Sequence, residues 1–205
     1  GQVVYATNTT APLEVKAAGT TYATAELIPV KTLTPWSSHN PVLYTVRAEV
    51  LRAGEDTILD SLEAEVGFRT TSWADQGQFT LNNEQFKLRG FSHHNSIGGL
   101  GVAIPERIQL FRVQASRALG SNIWRMSHNP YVPALYRLLD ITGLVCWDEN
   151  RDYGAKYMDG AYTVAMRDMV KRDRNHPSII IWSFCNEYEC QQNDPDYSAE
   201  KYRFA

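Results

Sequence analysis

Four short clusters of the sequence carry groups suited to chemistry. His93, His94 and Asn95 form the first, Arg125, His128 and Asn129 the second, Asp148, Glu149 and Asn150 the third, and Asn186 and Glu187 the fourth. Each ends an apolar run, most plainly in IIIWSFCNE (179–187), where isoleucines, a tryptophan and a phenylalanine stop abruptly at an amide and a carboxylate. Imidazoles, a guanidinium, amides and carboxylates delivered at one end of successive buried strands exceed what solvation requires. In a parallel α/β sheet the C-terminal strand ends share one side, and in a barrel they ring the mouth where such enzymes hold their chemistry.

The elements that must position these groups are legible in the rhythm of the chain. Up to about Thr71 the segments are short, rich in Val, Thr, Tyr and Leu, and alternate apolar with polar. LYTVRAEVL (43–51) is followed by an AGED turn (53–56), and TILDSLEAEVGFRT begins the next strands. That period of two, with frequent turns, predicts an antiparallel β-sandwich. From about Gln78 strands and helices alternate. QFKLRGF (85–91) reads as a strand and PERIQLFRVQASRALGSN (105–122) as a helix opened by Pro105 and closed by Gly120. NIWRMS (122–127) is a strand, VPALYRLLDITG (132–143) a helix ended by Gly143, and LVCWDEN (144–150) a strand. GAYTVAMRDMVKRDRNH (160–176) is a helix stopped by Pro177, SIIIWSFCNE (178–187) a strand, and DYSAEKYRFA (196–205) the start of another helix. Strands apolar on both faces, separated by helices, predict a parallel sheet covered by helices. A doubly wound sheet and a β/α barrel both satisfy the pattern. Gly98, Gly99 and Gly101 do not form a phosphate-cradling G-x-G-x-x-G after a strand, which argues against a dinucleotide fold and an oxidoreductase.

Composition excludes several classes of partner. Across 205 residues the net charge is −3, with 43% hydrophobic and 21% charged residues, so nothing points to nucleic acid or an anionic membrane. No apolar run approaches the roughly 18 residues that span a bilayer. The chain opens without an initiator methionine or a signal peptide. Cys146, Cys185 and Cys190 have neither zinc-site nor CxxC spacing and read as reduced thiols. Within the clusters, Arg125 has an equal claim to be a structural ion-pair partner of Asp148 or Glu149. Only one of the adjacent His93 and His94 points inward from a regular strand. Asp173, Arg174 and His176 precede a strand, at the far end of the barrel, and read as a structural turn.

Two long motifs resemble glycoside hydrolase family 2, which contains β-galactosidases, β-glucuronidases and β-mannosidases. RDRNHPSIIIWSFCNE (172–187) resembles the family's acid/base signature. NIWRMSHNPYVPALYRLLDITGLVCWDEN (122–150) resembles its second signature, with Asn-x-x-Arg, Ser-His and Asp-x-x-Gly elements in order. VGFRT (66–70) is similar to the exit from the family's middle immunoglobulin-like domain, and LNNEQFKLRGFSHHN to its entry into the barrel. The resemblance implies an immunoglobulin-like β-sandwich over residues 1–72, incomplete at its start, followed over residues 73–205 by the first half of a TIM (β/α)8 barrel. It implies a retaining exo-β-glycosidase, of β-galactosidase type in preference to β-glucuronidase or β-mannosidase, acting on a terminal β-linked sugar. Glu187 would be the general acid/base and Asn186 the donor to the sugar 2-hydroxyl. His128, Arg125 and His94 would shape the sugar pocket, with Asp148 and Glu149 as rim contacts. Free Glu titrates at about 4.3, so Glu187 would need the repulsion of a nearby nucleophilic carboxylate, and partial burial, to hold a proton near neutrality.

The sequence also departs from the family pattern. Asn129 stands where many β-galactosidases place a tyrosine, which bears on its role as a sugar contact. NRDYG (150–154) lacks the Glu and His that serve some members as magnesium ligands; Asp152 offers a substitute for one of them, so no cofactor is firmly predicted and a magnesium site stays open. The family's nucleophile, a Glu after the seventh strand, lies beyond this chain, which reads as an internal fragment. A half barrel has unpaired strand edges that invite pairing with another copy, and homo-oligomerisation of the full-length protein stays open. A carbohydrate-binding remnant without chemistry is the competing reading; retention of Asn186-Glu187 argues against it. The isolated 205-residue chain is expected to show no Glu187-dependent glycoside turnover, and a turnover assay on the purified polypeptide checks this.

Overall fold

The computed structural model describes residues 14, 19–22, 32–150, 160–184 and 186. The helix expected at 196–205, and Asp152, Cys185, Glu187 and Cys190, lie outside the described residues. The chain divides into two compact units, one of residues 46–64 with those up to 34, the other of residues 35–45 with those from 65 onward.

Strands β1 (Tyr44–Leu51) and β2 (Ile58–Val66) pair in a two-stranded sheet. The turn between them is closed by the Arg52 amide donating to the Thr57 carbonyl (3.0 Å), with Gly54 at φ 79°. Arg47 on β1 contacts Glu49 at 2.9 Å and reaches Glu63 on β2 at 3.8 Å. Three short strands follow, β3 (Thr71–Trp73), β4 (Phe79–Leu81) and β5 (Glu84–Gln85), paired antiparallel with Trp73 opposite Phe79 and Leu81 opposite Glu84. The two-residue loop Asn82-Asn83 has φ of 53° and 66°. A hairpin this tight needs positive φ at both positions, and asparagine tolerates that better than other side-chain-bearing residues.

The remaining elements build one parallel layer. Strands β6 (Gly90–His94), β7 (Ile123–Ser127), β8 (Val145–Glu149) and β9 (Ile179–Ser183) lie side by side in that order. They are connected through helices α1 (Glu106–Ala118), α2 (Pro133–Thr142) and α3 (Gly160–Asp173). The alternation predicts this arrangement, but not every boundary. Residues 85–91 do not form one strand: β5 ends at Gln85 and β6 starts at Gly90. The reason is Asn122, whose side chain accepts from the Arg89 amide (2.7 Å) and donates to the Lys87 carbonyl (2.8 Å). Those backbone groups are therefore spent on a side chain instead of a strand ladder.

Strands β7 and β8 alternate between two apolar clusters. Trp124, Met126 and Cys146 face the helices and pack with Val113, Leu135, Tyr136 and Leu139. Ile123 and Val145 face the other way, with Trp147 and Ile181, onto a floor of Trp36, Phe79, Leu81 and Phe86. Beneath the sheet, at the ends where the strands begin, Asp140 on α2 is a hub. Its carboxylate meets His176 Nδ1 at 2.5 Å and accepts from the Ser178 amide at 3.1 Å, and its carbonyl accepts from Trp36 Nε1 at 2.8 Å. The Arg69 guanidinium donates to the Pro177 and Ile179 carbonyls.

Gly143 ends α2 in the left-handed conformation (φ 74°), with its own amide and that of Leu144 both donating to the Leu139 carbonyl (2.9 and 3.2 Å). A Cβ there would stand 2.3 Å from the Ser38 carbonyl oxygen. Gly143→Ala combines the left-handed penalty of about 1 kcal/mol with that backbone clash, so a loss of about 2–4 kcal/mol is expected. Urea denaturation should show a lower midpoint with an unchanged slope.

Candidate active site

The inner face of the parallel sheet turns polar at the strand ends. Because side chains alternate, Ser92, Arg125, Trp147 and Glu149 share that face. The Glu149 side chain has no solvent exposure, which would be costly for an isolated carboxylate. It is fully partnered instead. Arg125 donates to one carboxylate oxygen through Nε (3.0 Å) and Nη2 (2.7 Å), and His128 Nδ1 meets the other at 2.7 Å. Arg125 Nη2 also donates to the Asn186 side-chain carbonyl (2.9 Å), and Nη1 reaches the Ser92 hydroxyl (3.3 Å). The guanidinium lies over the Trp147 ring, 4.9 Å from its centroid. His94 meets His128 edge-on, with ring centroids 5.5 Å apart.

One connected network thus joins the ends of four strands. The guanidinium spans Ser92, Glu149 and Asn186 and fixes their mutual orientation, which a flexible ammonium could not do. With its carbonyl turned to Arg125, the Asn186 amide presents its N–H donors elsewhere. With Nδ1 on Glu149, the His128 ring directs Nε2 away from the carboxylate. The arrangement offers fixed polar groups for a hydroxyl-rich ligand next to the position where the chain runs on into Glu187.

Four of the residues singled out in the sequence are therefore brought together: Arg125, His128, Glu149 and Asn186. His94 stands beside them. Arg125 takes Glu149, and not Asp148, as its ion-pair partner. Asn129 turns its side-chain amide onto the Pro130 carbonyl at 2.8 Å, a local bond outside the network. Asp148 sits on the opposite face, among the helices, where Tyr136 donates to it at 2.8 Å. The reading of Asp148 and Glu149 as a pair of rim contacts does not fit this placement, since neighbours on a strand point to opposite sides. Burial raises the Asp148 carboxyl to about 7. His93 is likewise on the helix side, stacked on Trp124 with ring centroids 3.4 Å apart, and burial together with Arg112 lowers it to about 4. The sequence reading missed Trp147 and Ser92 as supports of Arg125; they lie directly opposite it on the two adjacent strands. Among the described residues no cluster of three His, Cys, Asp or Glu side chains is disposed to hold a metal ion.

Comparison with known proteins identifies the family to which the chain belongs. The family model for glycosyl hydrolases family 2, TIM barrel domain, matches residues 74–162 and 153–202, and that for glycosyl hydrolases family 2 matches residues 1–69. A beta-galactosidase from Bacteroides ovatus is 34% identical over 196 residues, covering 88% of this chain and 23% of the relative. Among solved structures, a beta-glycosidase from Bacteroides vulgatus aligns with a TM-score of 0.71 at 33% identity, over 83% of this chain and 23% of that one. A Bifidobacterium dentium beta-glucuronidase, solved with coumarin-3-O-glucuronide, aligns with a TM-score of 0.79 at 27% identity, over 88% and 31%. The chain spans between 15% and 32% of the length of the curated relatives it matches.

Removing the guanidinium strands a buried charge. Arg125→Met is expected to destabilise the protein by about 3–5 kcal/mol, and adding Glu149→Gln to recover part of that loss. A double-mutant cycle by chemical denaturation measures both.

Proposed function

The chain belongs to glycosyl hydrolase family 2, and we propose that it supplies the acid/base half of the active site of a retaining exo-β-glycosidase. The carrying observation is the Arg125 bridge between Glu149 and Asn186, which orients the amide immediately before Glu187. In this reading Asn186 donates to the 2-hydroxyl of the terminal sugar, and His128 and His94 line the pocket beside it. Arg125 and Glu149 hold these groups in place. Glu187 protonates the departing glycosidic oxygen and then, in the second step, takes a proton from the attacking water. The partner carboxylate, a nucleophile outside this chain, forms and releases the covalent glycosyl intermediate. We read residues 1–72 as an immunoglobulin-like sandwich domain and residues 73–205 as the first half of the barrel.

A β-galactoside is the proposed substrate, supported by the Bacteroides ovatus relative, which matches most of the chain. A β-glucuronide is the second reading, supported by the Bifidobacterium dentium neighbour. Aryl β-galactoside and aryl β-glucuronide given to the full-length protein separate the two.

Glu187→Gln in the full-length protein is expected to lower turnover of glycosides with poor leaving groups by about 10²–10⁴-fold. Substrates whose leaving group needs no proton should lose much less. Undiminished turnover of the poor substrates would remove Glu187 from the acid/base role.

A further inference from the structure

Behind the sheet, on the side away from the candidate site, two buried carboxylates lie beside the partly exposed guanidinium of Arg172. Asp148 at the end of β8 and Asp173 at the end of α3 are both fully inaccessible to solvent. Arg172 commits its guanidinium to Asp173 through Nε (2.6 Å) and Nη2 (2.7 Å), and Nη2 also reaches the Tyr131 carbonyl and the Tyr136 hydroxyl. The Tyr136 hydroxyl accepts from Arg172 (3.3 Å) and from the Tyr131 amide (3.0 Å), so its own hydrogen goes to Asp148 Oδ1 (2.8 Å). Asp148 Oδ2, buried and beside the Asp173 carboxylate, accepts from no donor among the described residues. Two ionised carboxylates buried beside one another repel, whereas a hydrogen between them would satisfy both.

We propose that Asp148 carries a proton that it donates to Asp173, and that this neutral carboxyl is a positioning residue locking α3 and Tyr136 against the back of β8. The front of the same strand end presents Glu149, so the lock sets the backbone from which the site network is hung. Arg172 already gives Asp173 two hydrogen bonds, one to each carboxylate oxygen. Burial, with repulsion from Asp173 as a lesser contribution, places the Asp148 titration at about 7. The titratable and charged groups facing it are Tyr136 from α2, Arg172 and Asp173 from α3, and Cys146 on its own strand. His176 stacks on Tyr136, with ring centroids 5.4 Å apart. All of these lie behind the sheet, so the lock holds whichever substrate the mouth takes.

The folded-state value lies above the ordinary carboxylate value, so the folded state binds the proton more tightly than the unfolded chain. Its contribution to stability is greatest at acid pH and is lost as pH rises from about 4 to about 7, at up to tenfold in the folding constant per pH unit. D148N mimics the neutral form, because its amide can accept from Tyr136 and donate to Asp173. Infrared spectra of the full-length protein carrying Glu187→Gln, which removes the acid/base carboxyl, are expected at pH 6 to show a protonated-carboxyl stretch that fades by pH 8 and is missing when D148N is added. The melting temperature of the wild type should fall relative to D148N over the same interval. A Glu187→Gln spectrum without that band at pH 6, a band that survives the addition of D148N, or parallel melting curves would each overturn the assignment. If the D148N protein does not fold, the pH titration of the band in the Glu187→Gln protein decides alone.

Discussion

A carboxylate shut off from water must find its partners inside the protein, and Glu149 finds a counter-charge in Arg125 and a ring nitrogen in His128. The arrangement around the strand ends depends on this. An unpartnered buried carboxylate would be several kcal/mol too costly to keep, so the guanidinium is obliged to sit over the inner face of β8. Once there, its flat fork has further donors to place, and Ser92 and Asn186 take them. Trp147 supports it from below. A group that looks like a substrate ligand when β7 is read alone is thereby the tie between β6, β8 and the exit of β9.

The same sheet has a second polar system on its other face, and the two do not mix. The strand backbone separates Glu149, with its guanidinium and imidazole, from Asp148, with Tyr136 and the Arg172–Asp173 pair. The inner system meets solvent: Arg125 and His128 keep 24% and 28% of their side-chain surface exposed. In the outer one the carboxylates Asp148 and Asp173 are buried beneath α2 and α3, while the Arg172 side chain reaches solvent. A site that exchanges substrate needs the first kind of environment, and a lock that holds a strand end needs the second.

At the other end of the strands the chemistry is structural. Asp140 gathers His176, Ser178 and Trp36, and Arg69 binds the backbone around Pro177. These residues lie within or beside the recognisable motifs, yet they fasten the floor of the sheet. Asn122 does the same for the entry to β6, at the expense of the longer strand that its sequence favours. The strand-end motifs that identify the family thus combine two duties, fixing where each strand begins and furnishing what its end presents.

The sequence alone determined the order of strands and helices, the breaks at Pro105 and Gly143, and which strand ends carry ionisable groups. These are local matters, set by the period of apolar residues and by the backbone preferences of proline and glycine. It also determined family membership, through two motifs whose residue types and order are specific. Only the tertiary structure decided who pairs with whom. Arg125 had two acidic residues available, and registration between β7 and β8 put Glu149 on its face while sending Asp148 to the helices. The one-residue alternation that separates His93 from His94 separates these two as well, and it could have been read in advance. The partners of Asp148 could not, because Tyr136 and Asp173 come from helices whose rotation about their axes depends on how the whole apolar layer packs.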